Sequence, residues 1–170
     1  MGNCCCRVKD DQYHTNELVE RNFDDVSKFT FNGMVTKAKV VDVYDGDTIT
    51  IVFYFRDQVM KDSFRMYGYD APEIKPLKSI DNRDHHIRAG KAVREYLKKL
   101  ILGRIVWVKF CQEEKYGRLM GYIYDDHPRD ENEINALMIR KGYGKPYQGG
   151  HKQEFTDEEL LTILSKLTVV

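Results

Sequence analysis

A polar stretch with scattered apolar positions gives way near residue 34 to runs with strand-like patterning. Val35-Thr36-Lys37-Ala38-Lys39-Val40-Val41 is rich in β-branched residues and predicts a strand. Thr48 to Phe55 predicts a second, largely apolar strand, and Asp45-Gly46 between the two is a hairpin-turn pattern. Met60 to Tyr69 predicts a third, with Phe64 and Met66 on one face and Arg65 on the other. Arg88 to Leu102 shifts to helical spacing. Val93, Tyr96, Leu97, Leu100 and Ile101 form one stripe, and Gly103 ends it.

Ile105 to Phe110 and Leu119 to Tyr124 predict two more strands. Ile134, Leu137 and Met138 mark a short helix ending near Gly142. Thr156-Asp157-Glu158-Glu159 has the form of a capping box. It opens a last helix with the stripe Leu160, Ile163, Leu164 and Leu167. Five short strands with an intervening helix suit a mainly β fold, a small closed barrel of the oligonucleotide/oligosaccharide-binding (OB) type. An open α+β sheet is the alternative on pattern alone. Residues 1–33 are polar enough to be an amino-terminal tail, with 34–170 as the folded domain.

At 170 residues with 42% apolar content, one domain is expected. The net charge is zero, which argues against strong nonspecific duplex binding but not against an enzyme with one basic groove. No apolar run is long enough to span a bilayer, and no secretory signal is expected at the start. Cys4, Cys5 and Cys6 are adjacent, and Cys111 stands apart, so neither a disulfide framework nor a zinc site is expected.

Met1-Gly2-Asn3-Cys4-Cys5-Cys6 has the form of an acylation signal: Gly2 for myristate, and Cys4, Cys5 and Cys6 for palmitate. Position 6 departs from the usual Ser or Thr. Two lipid signals are what stable anchoring requires, and Arg7 and Lys9 would add attraction to anionic lipid. The expectation is attachment at the cytoplasmic face of a membrane if the terminus is acylated, and a cytoplasmic protein otherwise. The competing reading is a tail with incidental cysteines.

Asp45, Asp47 and Asp70 all sit where turns favour aspartate, and a turn role accounts for each alone. Read for chemistry, Asp47 and Asp70 meet at the barrel mouth and bind a metal through oxygen. With no His or Cys nearby in sequence, calcium, magnesium or manganese is favoured over zinc. Glu73, beyond Pro72, is either an exposed loop carboxylate or a base that orients water. Arg65 and Arg118 are either surface arginines or a planar pair of phosphate clamps.

The chain from about Val35 to Leu167 resembles staphylococcal nuclease and its thermonuclease-like relatives. The resemblance rests on Asp45-Gly46-Asp47-Thr48, Phe64-Arg65, Asp70-Ala71-Pro72-Glu73, Gly90-Lys91-Ala92 opening the helix, Lys115-Tyr116-Gly117-Arg118-Leu119 and Asn135-Ala136-Leu137. It implies a five-stranded OB-fold barrel with three α-helices. It implies a nuclease dependent on one calcium ion, cutting DNA or RNA within the strand and leaving 3′-phosphates. By the same resemblance Asp47, Asp70 and the Ala71 carbonyl are metal ligands, and Glu73, Arg65 and Arg118 are catalytic. Lys115 and Tyr116 contact nucleotide, as does Tyr147, whose spacing is off by about one residue.

Single strands are the expected substrate, because an OB groove stacks bases along one backbone. A monomer is the default expectation. The rival function is a non-catalytic barrel that binds single-stranded nucleic acid or a protein partner at a membrane. Between Ile74 and His86, Lys75, Lys78 and Arg83 either steer phosphates or belong to a solvated loop, as does Arg88 just beyond. His85-His86 is expected to be an exposed pair and Cys111 a small buried thiol.

Overall fold

Strand Thr48–Phe55 turns Ile49, Ile51 and Phe53 inward, the period-2 pattern of a half-buried strand, and Ile105–Phe110 repeats it with Val106, Val108 and Phe110. A computed structural model describes residues 12–20, 22–111, 118–150 and 152–168. In chain order the helices are α1 (Gln12–Glu20), α2 (Arg83–Ile101), α3 (Ile134–Arg140) and α4 (Asp157–Thr168). The strands are β1 (Val35–Val43), β2 (Thr48–Phe55), β3 (Gln58–Met66), β4 (Gly68–Asp70), β5 (Ile105–Phe110), β6 (Leu119–Tyr124) and β7 (Lys145–Tyr147).

Five strands close into a barrel in the order β1-β2-β3-β6-β5, with β5 returning to β1. Closure removes the exposed strand edges that the open-sheet alternative would have left. The fold is a five-stranded OB-type barrel with α2, α3 and α4 as its main helices. β3 and β6 pair in parallel, Phe64 opposite Leu119 and Arg65 opposite Met120, which brings the end of β3 beside the start of β6. Val93, Leu97 and Ile101 of α2 are fully buried, and α4 packs beside that helix through Leu160, Ile163 and Leu164. The capping box at Thr156 is reciprocal. The Thr156 amide donates to Glu159 Oε2 (2.8 Å), and the Glu159 amide donates to Thr156 Oγ1 (3.3 Å).

Two expectations are corrected. The third strand does not run to Tyr69. It ends at Met66, and after Tyr67 the glycine Gly68 takes φ 75° and starts β4, which pairs with β7 as a separate two-stranded ribbon. Helix α2 begins at Arg83, so Gly90 lies inside the helix rather than at its opening. A Cβ on Gly90 would stand 2.5 Å from the Pro72 carbonyl oxygen and 3.1 Å from the Glu73 backbone. The glycine lets α2 lie directly against the turn that carries Glu73. Gly46 lies in the turn that joins the antiparallel β1 and β2, as its sequence predicts, and it too permits close contact. Its φ lies outside the left-handed range, and a Cβ there would meet Ala71 Cβ at 2.6 Å and Val93 Cγ1 at 2.9 Å.

The stretch before β1 contains packed aromatics as well as polar residues. Phe31 lies within 5.0–5.8 Å of the Phe53, Phe55 and Phe110 rings, and Phe29 packs on Phe31 and Phe55. These rings sit at the Phe55 end of β2. The residues expected to carry chemistry sit at its Thr48 end.

Candidate active site

Asp47 precedes β2, and its carbonyl accepts from the Met66 amide (2.8 Å) at the end of β3. The register sets Thr48 opposite Arg65. With Phe64 and Met66 turned into the core, alternation sends Arg65 to the other face, where it is nonetheless 8% exposed. Its guanidinium spans two carboxylates. Nη2 is 2.8 Å from Asp47 Oδ2 and 2.9 Å from Asp70 Oδ1, and Nη1 donates to Asp47 Oδ1 at 3.2 Å. Asp47 and Asp70, 23 positions apart in sequence, thus face a common point. Thr48 Oγ1 (2.8 Å) and the Ala71 amide (3.5 Å) complete the bonding of Asp47. At Ala71 the described contact with Asp47 is made by this amide.

Glu73 follows Pro72 on the turn pressed against Gly90. Asp45, Asp47, Arg65, Glu73, Arg118 and Tyr147 line one open cavity of about 520 Å³, with Thr48, Thr50 and Ser63 on its wall. Asp70 adjoins it through Arg65. The structure therefore brings together Asp47, Arg65, Asp70, Ala71, Glu73, Arg118 and Tyr147. Lys115 and Tyr116 lie outside the described residues, as do Gly2, Cys4, Cys5 and Cys6.

The acid groups sit in a partly dehydrated setting. Burial pushes the Asp45 carboxyl up to about 6, and the charges of Asp47 and Glu73 act in the same direction. Burial also raises Asp47, against the opposing pull of Arg65. Tyr69 beneath them is held well above its ordinary value by burial and by the neighbouring aspartates.

One further cation belongs to this site, and sequence reasoning passed over it. Lys152 Nζ lies 2.8 Å from Asp70 Oδ1 and 2.8 Å from Glu73 Oε1, and Lys152 lines the same cavity. Burial works to lower the ammonium group, but the bonds to Asp70 and Glu73 outweigh it and hold the lysine above its usual range. The available clue was Gly149-Gly150, two residues that both adopt left-handed backbone (φ 95° and 89°) shortly before Lys152.

Two lesser expectations are corrected. His85 and His86 are not an exposed pair. His86 is 4% exposed against the Phe155 ring, while His85 Nδ1 is 2.9 Å from Asp157 Oδ1. Cys111 is half-buried.

Among the described residues no three His, Cys, Asp or Glu groups converge as a preformed metal cage. The donor set still fits a hard cation. Asp47 and Asp70 offer converging oxygens and no nitrogen or sulfur ligand. Asp45 and Glu73 add negative charge at the same cavity. Such a pair of carboxylates suits an ion that keeps several waters.

The family model for staphylococcal nuclease homologues matches residues 63–166, more than half of the chain. The chain belongs to the staphylococcal nuclease family. The matched span holds Arg65, Asp70, Glu73, Arg118 and Lys152, while Asp47 precedes it. An uncharacterized endonuclease of Escherichia coli is 31% identical over 110 residues, covering 65% of this chain and 60% of that protein. A probable endonuclease of Yarrowia lipolytica is 33% identical over 95 residues, 54% of this chain and 38% of its own length. An endonuclease of Bacillus subtilis is 28% identical over 146 residues, 80% of this chain but 11% of that protein. The chain thus matches little more than half of the E. coli relative.

Proposed function

We propose that this chain is a calcium-dependent phosphodiesterase that cuts DNA or RNA within the strand. The observation that carries the reading is the convergence of Asp47, Asp70 and Arg65 on one point, with Glu73 and Arg118 facing the same cavity. Three relatives bearing the word endonuclease in their names agree with it.

Asp47 and Asp70 would hold the ion, and when bound it supplies Lewis-acid polarisation of a phosphate oxygen. The side chains divide the rest. Glu73 takes a proton from, or orients, a water placed in line with phosphorus. Arg65 and Arg118 bind the equatorial phosphate oxygens and stabilise the charge that builds on them. Burial of Asp47, Arg65 and Asp70 limits the screening of the bonds these groups make. Tyr147, with Lys115 and Tyr116, provides contacts for the bases and sugar of a single strand. Departure of the 5′ oxygen leaves a 3′-phosphate.

The amino-terminal acylation signal at Gly2, Cys4, Cys5 and Cys6 adds a place to this reading. A dually acylated terminus would hold the nuclease, as a monomer, at the cytoplasmic face of a membrane.

The reading is tested with a single-stranded oligonucleotide labelled at its 5′ end. Internal cuts are expected, and phosphatase treatment of the labelled fragments should slow their migration by removing a 3′-phosphate. Fragments unaffected by phosphatase would overturn the proposed direction of cleavage, and an intact strand would overturn the nuclease itself.

A further inference from the structure

The segment that carries Lys152 is fastened on both sides of it. On the amino-terminal side Tyr147 Oη donates to the Gly150 carbonyl (3.1 Å). On the other, Lys145 Nζ donates to the Glu154 carbonyl (2.9 Å), and Asn82 Nδ2, just before α2, donates to the Phe155 carbonyl (3.0 Å). Phe155 itself is buried against His86. These anchors deliver the ammonium group to Asp70 and Glu73 at 2.8 Å each.

Its position has a consequence for any ion that uses Asp70. Oδ1 of Asp70 is shared by two cations, Arg65 on one side and Lys152 on the other. Arg65 also reaches Asp47, whereas Lys152 joins Asp70 to Glu73. A divalent ion approaching Asp70 meets the lysine charge at contact range, where like charges repel more strongly in a partly dehydrated pocket than in open water. Lys152 can yield, because its side chain is 41% exposed and stands on a flexible four-carbon stem. Arg65 is far more enclosed, at 9% side-chain exposure.

We propose that Lys152 is a positioning residue acting as a built-in competitor for the cation: it ties Glu73 to Asp70 when no divalent ion is present and must release Asp70 when one binds. The inference rests on the calcium reading above and adds to it a residue that sets ion affinity. The site then exchanges one cation for another at Asp70, whose charge stays balanced in both states, while Glu73 is freed from its tie to Asp70. The lysine's removal makes the ion bind more tightly, the opposite of what loss of a merely structural prop would do.

The test is calorimetric titration of calcium into the full chain without nucleotide, for wild type, Lys152→Met and Lys152→Arg. Lys152→Met is expected to bind calcium about tenfold more tightly, a gain of about 1.4 kcal/mol. Lys152→Arg, which keeps the charge, should stay within about threefold of wild type. Lys152→Gln repeats the test should the methionine variant fold poorly, and the calcium-induced rise in melting temperature gives a second readout. Unchanged or weakened binding in the neutral variants, or equal tightening in Lys152→Arg, overturns the inference. If that happens while wild type still binds calcium and cuts, the nuclease reading stands without it. Absence of calcium binding in every form overturns the inference together with the calcium assignment.

Discussion

Replacing Arg65 with alanine should lower the cleavage rate by about a hundred- to a thousandfold, the range seen when one preorganised charge stabiliser is removed. The loss has two origins that different measurements separate. In the reacting complex the guanidinium would stabilise charge on the phosphate oxygens, so the effect falls mainly on kcat. In the free protein Arg65 holds Asp47 and Asp70 together with one nitrogen at 2.8 and 2.9 Å. Without it two largely buried carboxylates confront each other. Breaking a buried ion pair from one side costs about 3 kcal/mol, so the variant should melt well below wild type in chelator. Calcium should recover part of that loss, because an ion between the aspartates replaces the missing charge. A lysine in place of Arg65 keeps a positive charge beside Asp47 and Asp70 but cannot grip two phosphate oxygens as a planar fork. Arg65→Lys should therefore recover stability more fully than rate. Equal rates in wild type and Arg65→Ala would remove the arginine from the mechanism.

The second large effect is expected at Glu73. Glu73→Gln keeps the size of the side chain but removes its capacity to take a proton. Turnover should fall by about a hundred- to ten-thousandfold, the usual contribution of general-base catalysis. Affinity for a short single-stranded oligonucleotide, measured by fluorescence anisotropy in calcium, should change little. That split separates an enzyme from a barrel that only binds nucleic acid, for which Glu73 would be an indifferent surface carboxylate. A variant that cuts as fast as wild type would dismiss Glu73 as the base. The substitution also removes one of the two acid partners of Lys152, so its calcium affinity should be read beside that of the lysine variants.

The barrel was legible because strands such as β2 and β5 obey simple alternation. Phe64 and Met66 point inward and Arg65 outward, as spacing alone required. The stripes of α2 and α4 were equally plain, since burial of one face at helical period leaves a clear trace. Less legible were features fixed by long-range contact. Gly46 and Gly90 are small because Ala71, Val93 and the Pro72 carbonyl crowd them, and such crowding appears only in three dimensions. The β4–β7 ribbon is two three-residue strands, too short for any period to register. The first turns of α2 were hidden by a polar run, from which His86 alone turns inward onto Phe155.

At the site, the residue types of Asp47, Asp70, Glu73 and Arg65 suggested their chemistry, while their meeting depends on the β2–β3 register and on the turn after β4. Lys152 was not legible. It lies 82 positions from Asp70 and reaches it through a glycine pair and a docked loop that carry no recognisable periodicity.

The central claim is that oxygens of Asp47 and Asp70 hold an ion on which hydrolysis depends. Its most direct test is the initial rate of single-strand cutting by wild type in calcium, in excess chelator, and after calcium is restored, with Asp47→Asn/Asp70→Asn run alongside. Cutting that stops in chelator, returns with calcium and is absent from the double variant is the predicted result. Cutting that continues undiminished in chelator, or in the double variant, would contradict it.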